Sequence, residues 1–154
     1  MLDLSDVNHQ ALPVRPKKRD RFYTECVDVR EWLIDTGCGH DLLYKHEVAP
    51  YKDFFQKAKS PVVFHTANGS TTANNVARIH VTDLNENITP YVMANSPPVL
   101  TVGHRCMNKG YSLIWPSGKD PYFVRPDGMV THVKVKGYIP YLVPGMLDCQ
   151  PQKP

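Results

Sequence analysis

The chain has 154 residues, 42% of them hydrophobic and 21% charged, the balance of one soluble globular domain with short tails. A net charge of +3 is too small to make nucleic acid the main partner, and no apolar run approaches the length of a membrane span. Fourteen prolines and nine glycines imply many short elements joined by turns, and so an all-β fold.

Residues 1–20 are polar, and a basic run of Arg15, Lys17, Lys18, Arg19 and Arg21 lies beside Pro13 and Pro16. They read as a flexible, solvated arm, with a nuclear-import or nucleic-acid-touching segment as the alternative. The opening Met1-Leu2-Asp3-Leu4-Ser5-Asp6 offers no apolar signal core, so the expected setting is intracellular and cytoplasmic. Cys26, Cys38, Cys106 and Cys149 are then expected as reduced thiols. From Arg21 the pattern changes. Strands are expected over Phe22–Val29 and Trp32–Ile34, the second ending at Asp35-Thr36-Gly37. A helix is expected from Pro50 to Ser60, where Phe54, Phe55 and Ala58 form an apolar stripe before Ser60-Pro61.

Val62–Ala67 reads as a strand, Asn68-Gly69 as a hairpin turn, and Thr71–Val81 as the return. On the return, Ala77, Ile79 and Val81 share one face and Arg78 and His80 the other. The tip is polar and the base apolar, so the hairpin should project. Tyr91–Met93 and Val99–Val102 are further strands, the latter running into Gly103 and a short helix, His104–Lys109, closed by Gly110. Ser112–Trp115, Tyr122–Val124 and Met129–Lys136 are expected strands, with turns at Pro116-Ser117-Gly118 and Pro126-Asp127-Gly128. Val133 and Val135 face one way, and His132, Lys134 and Lys136 the other. Ile139–Val143 is a terminal strand before a Pro-rich tail over 144–154, which leaves one domain over 21–143.

The chemistry concentrates at Asp35-Thr36-Gly37. A strand delivers the carboxylate to a tight turn, and Gly37 lets the backbone bend just after it. The plain alternative is an aspartate capping its own turn. Trp32-Leu33-Ile34-Asp35-Thr36-Gly37 resembles the apolar-apolar-Asp-Thr/Ser-Gly signature of retropepsins. Three later features follow in the order of that family's copia-type retrotransposon members. The hairpin around Ala67-Asn68-Gly69-Ser70-Thr71 resembles their flap. Val99-Leu100-Thr101-Val102-Gly103 resembles the apolar strand passing behind the catalytic loop, and His104–Tyr111 resembles the short helix and the start of the strand after it. Cys38 stands where the family usually has Ala or Ser.

The resemblance covers residues 21–143. It implies a closed β-barrel with one or two short helices and a flap hairpin, paired as a twofold homodimer. It implies an aspartic endopeptidase that processes a retrotransposon polyprotein, in the cytoplasm or inside virus-like particles, without metal or cofactor. Asp35, Thr36 and Gly37 would be catalytic. Thr66, Ala67, Asn68, Gly69, Ser70 and Thr71 would close over an extended peptide, with Val102 and Gly103 supporting the loop. Hydrolysis by this route needs two carboxylates sharing a proton. The chain has a single Asp-Thr-Gly, so the second carboxylate must come from a second copy.

Other readings stay open at this level. Cys38-x-His40 is a close Cys/His pair, but no partner pair has zinc spacing. Cys38 with His40 would make a thiol protease only if the fold brought them together. The same fold could serve as a catalytically inactive dimerisation or peptide-binding module. A basic nucleic-acid-binding β-barrel lacks interleaved aromatic and basic residues on any strand.

Overall fold

A computed structural model of the chain describes residues 29–48, 55–66 and 69–144. The strand expected over Phe22–Val29, apart from Val29, lies outside the described residues, as do the arm over 1–20 and most of the tail.

The described residues are mostly β. Eight strands form one sheet in the order β12-β13-β1-β8-β2-β7-β4-β3. These are β1 (Trp32–Asp35), β2 (Leu42–Tyr44), β3 (Gln56–Thr66), β4 (Gly69–Val76), β7 (Tyr91–Met93), β8 (Val99–Thr101), β12 (Lys134–Lys136) and β13 (Ile139–Leu142). A two-stranded sheet pairs β5 (Ile79–Val81) with β6 (Glu86–Ile88), joined by a 3-10 turn at Thr82–Leu84. A three-stranded sheet orders β11-β10-β9, from Val130–His132, Tyr122–Val124 and Ser112–Ile114. Two short helices complete the set, α1 (Lys45–Val48) and α2 (Gly103–Asn108). Among the described residues, no helix is long and apolar enough to cross a membrane.

Among the described residues the large sheet is open, its outer strands, β12 and β3, not paired with each other, so the expected closed barrel is not found there. The edge strand β12 carries exposed Lys134 and Lys136, and a lysine-bearing edge resists further pairing. At the other end, β3 and β4 form a long, largely exposed hairpin.

The helix expected over 50–60 is also corrected. Residues 49–54 lie outside the described set, but Gln56–Ser60 are strand. The stripe of Phe54, Phe55 and Ala58 fits a helix locally. However, the half-buried Gln56 and Ala58 alternate with exposed Lys57 and Lys59, the period of a strand. Pairing of Gln56 with Val76 and Lys57 with Asn75 then decides the outcome. Pro61 does not stop a helix; it sits where the β3–β4 register shifts between Lys57 and Val62, a bulge that needs no amide donor.

Three smaller differences have similar causes. The return strand does not run on to Val81: it leaves the sheet after Val76, and Ala77 N–H donates to Pro90 O at 3.0 Å. The segment Met129–Lys136 divides at Val133, whose N–H is taken by Pro121 O at 3.1 Å, so its halves serve two sheets. Finally, Gly69 is not central in the hairpin turn but pairs with Thr66 as the first ladder residue, at φ +113°, a conformation open to glycine. The tip residues Ala67 and Asn68 lie outside the described residues.

Period-two alternation divides β1 and β8 between two apolar layers. Trp32, Ile34 and Leu100 enter the main core with Leu43, Ile79, Phe123 and Leu142. Leu33 and Val99 face the other way and join Leu42, Ala73 and Met93 beneath the hairpin. Asp35 is two residues beyond Leu33, so it shares that second face.

Candidate active site

Asp35 ends β1, with β8 alongside in parallel and Thr101 opposite it. β8 in turn pairs antiparallel with β2, the strand that follows the Asp35 loop, so β8 lies between the two arms of that loop. The loop is tied to β8 at three points. Val102 N–H donates to Asp35 O at 3.0 Å. The Thr101 hydroxyl donates to Cys38 O at 2.5 Å. Thr101 N–H donates to Asp41 Oδ1 at 2.8 Å. Within the loop, Gly37 N–H donates to Asp35 Oδ1 at 2.7 Å, which fixes the carboxylate rotamer.

Asp41 is the residue that sequence reasoning passed over, because it stands outside the Asp-Thr-Gly motif. Its carboxylate accepts bonds from both terminal guanidinium nitrogens of Arg105, at 2.6 and 2.9 Å. Arg105, on α2, is fully buried. It also donates to Thr101 O at 2.9 Å and to Glu86 Oε1 at 3.0 Å. Glu86 accepts further bonds from Lys109 Nζ at 2.9 Å and the Tyr111 hydroxyl at 2.7 Å. Burial alone would raise the Glu86 pKa. The Arg105 charge, with the Lys109 and Tyr111 bonds, outweighs it and holds the carboxyl below its ordinary value. Burial and the bond to Glu86 push the Tyr111 phenol upward, so it stays a neutral donor.

The face bearing Asp35 opens onto a cleft of about 840 Å³. Its floor is the second apolar layer, including Leu33, Leu42 and Val99. Val62, Val63, Phe64, His65 and Thr71 of the β3–β4 hairpin wall one side, and the Ala94–Pro97 segment another. Near the tip, the His65 ring is 2.9 Å from the Ser70 hydroxyl.

The expected site residues are therefore brought together unevenly. Asp35 and Gly37 line the cleft, and Thr36 is exposed beside them. Of the expected flap contacts, Thr71 is a wall residue, Gly69 and Ser70 are not, and Ala67 and Asn68 fall outside the described residues. Thr66 ends β3 opposite Gly69. Loop support comes from the Val102 amide and from Thr101. Gly103 stands in open space, where a Cβ would meet nothing within 4 Å. The wall residues Val62–His65 and the buried cation Arg105 were missed. Alternation along β3 carried a signal for the first, but nothing local marks the second.

Cys38 does not engage an imidazole. Its thiol donates to His40 O at 3.2 Å, while the His40 ring packs edge-on against Phe64 and Tyr91. Burial pushes the thiol pKa up. A backbone hydrogen bond at His40 opposes this, and the Asp35 and Asp41 carboxylates add to it. That is the reverse of what a thiolate nucleophile needs. Among the described residues, no three His, Cys, Asp or Glu side chains converge as metal ligands.

No protein-family model matches the chain, and no curated protein matches it in sequence.

Proposed function

We propose that this protein is a retropepsin-like aspartic endopeptidase, active as a twofold homodimer in which each copy supplies one Asp35. The observation that carries the reading is the position of the Asp35 carboxylate. It stands at the end of a core strand, held by Gly37 N–H, and opens onto a cleft walled by a projecting hairpin. β8 behind the loop, tied to it through Thr101 and Val102, supports the same reading.

In the dimer the two Asp35 carboxyls share one proton. The ionised carboxyl takes a proton from the attacking water, and the protonated one hydrogen-bonds and then protonates the carbonyl oxygen as the tetrahedral intermediate forms. Thr36, exposed beside the cleft, is available to bond across the twofold axis. The substrate lies extended along the cleft beneath the hairpin, which excludes water when closed. Processing of a retrotransposon polyprotein is the role this activity would fill.

The test is cleavage of a mixed peptide library by wild type and by Asp35→Asn, over a range of pH and protein concentration. Activity that falls on dilution and vanishes in the variant is the expected result. A folded dimer that binds peptides equally well with or without Asp35, and cleaves none, would reassign the chain to a peptide-binding module. Cleavage that survives the substitution would remove Asp35 from the mechanism.

A further inference from the structure

Beside the Asp35 cleft lies a second hollow of about 520 Å³. Gly39 and His40 line both, so the two are contiguous. The ridge between them is aromatic: the His40 ring meets Phe64, a wall of the cleft, and Tyr91, a wall of the hollow. The Tyr91 hydroxyl donates to Ser60 O at 3.1 Å and so pins the bulged stretch of β3 over the hollow.

The lining of this hollow is strongly cationic, with Lys57, Lys59, Arg78 and Lys109 against one carboxylate, Asp41. That carboxylate is already occupied by Arg105 through two bonds, and Lys109 is occupied by Glu86. Arg105 and Lys109 thus balance Asp41 and Glu86. Lys57 and Lys59 remain, exposed on β3, and neither has an ion-pair partner among the described residues. Arg78 also lines the hollow, its Nε donating to the Gln56 side chain at 3.1 Å. A concave surface with this excess attracts an anionic group, and its walls reduce screening by solvent.

We infer that this hollow is a subsite for an acidic side chain, Asp or Glu, of the same extended peptide that occupies the Asp35 cleft. The inference rests on the peptidase reading for its occupant. An extended chain leaving the cleft over the His40 ridge passes directly above Lys57 and Lys59, and alternate side chains point down into it. In a twofold dimer the hollow occurs twice, once on each side of the scissile bond. The acidic preference is therefore expected at matching distances on both sides.

The test walks Glu or Gln along an extended peptide. It measures kcat/KM on the wild-type protein and binding of the labelled, uncleaved peptides to Asp35→Asn, each with and without Lys57→Gln/Lys59→Gln. At the favoured positions Glu should exceed Gln on the order of five-fold, and more at low salt, with the ratio collapsing toward one in the double lysine variant. Both lysines are exposed, and circular dichroism checks that this variant keeps its fold. Cleavage with no Glu preference, or with a preference that survives loss of both lysines, overturns the subsite and leaves the peptidase standing. Lysine-dependent Glu binding without cleavage by the wild type keeps the subsite and removes the peptidase. A single-stranded oligonucleotide that displaces the Glu peptide at lower concentration than the peptide itself would reassign the hollow to nucleic acid and overturn the inference.

Discussion

Replacing Arg105 by Met should unfold this protein more readily than any surface substitution. The Arg105 side chain is 0% exposed, and its partners Asp41 and Glu86 are only 11% and 13% exposed. Met fills similar volume, so little cavity forms. What is lost is the compensation of two nearly buried carboxylates, and removing one partner of a buried pair typically costs about 3–5 kcal/mol. Against a total stability of roughly 5–15 kcal/mol for a domain, that is a large fraction. The expected fall in Tm is on the order of 10 °C. Urea unfolding followed by tryptophan fluorescence is suited to the measurement, because Trp32 is fully buried and Trp115 is half exposed. Protein concentration must be fixed, since any dimer contributes to apparent stability. The triple variant Arg105→Met/Asp41→Asn/Glu86→Gln removes the stranded charges and should recover at least half of the loss. A single variant within about 1 kcal/mol of wild type would refute the argument. So would a triple variant no better than the single, which would mean that charge compensation is not what Arg105 supplies.

Gly37→Ala puts a methyl group 3.2 Å from Asp35 Oδ1, so the carboxylate must shift by a few tenths of an ångström. Peptidase kcat should fall on the order of ten-fold while Tm stays close to wild type; unchanged kcat would argue against a positioned carboxylate. Glu86 has a folded-state pKa below its ordinary value of 4.5, so the folded state binds that proton less tightly than the unfolded state. Its contribution is complete above about pH 4.5 and is lost as pH falls through the lower folded value. Acid titration of stability should therefore be shallower in Glu86→Gln, and superimposable curves would contradict the assignment. Cys38, half-buried with a raised thiol pKa, should be alkylated by iodoacetamide more slowly than exposed Cys106, which peptide mapping of partly labelled protein will show.

Most strands were legible from short-range pattern. Trp32–Asp35, Tyr91–Met93 and Tyr122–Val124 each combine apolar or β-branched residues with a bounding turn, and all three form where expected. Two failures were long-range. Gln56–Ser60 carries a helix-compatible stripe, and only its pairing with β4 makes it strand. Sheet closure depends on the register and twist of every strand together, which no local window contains. In the site, the Asp35 loop was visible because a motif of three adjacent residues encodes a local turn. The Arg105–Asp41 pair was not, because its partners stand 64 positions apart and an arginine in a short helix reads as solvent-exposed.

These features bear on one another through pH. A pair of contacting carboxylates works while it holds a single proton, which favours the acid side of neutral. The scaffold under the proposed pair has the opposite need. Arg105 links the Asp35 loop to Glu86, and Glu86 is held ionised by Arg105, Lys109 and Tyr111. Lowering the pH far enough to protonate Glu86 loosens α2, and with it the bonds from Thr101 and Val102 that position the Asp35 loop. The acid limit of activity is thus expected to follow the unfolding of the scaffold and not the titration of the catalytic pair. Glu86→Gln, which keeps the neutral side chain of the protonated state at every pH, should accordingly lose activity already near neutral pH and show a flatter acid limb than wild type, whereas unchanged activity and an unchanged acid limit would assign that limit to the carboxylate pair itself.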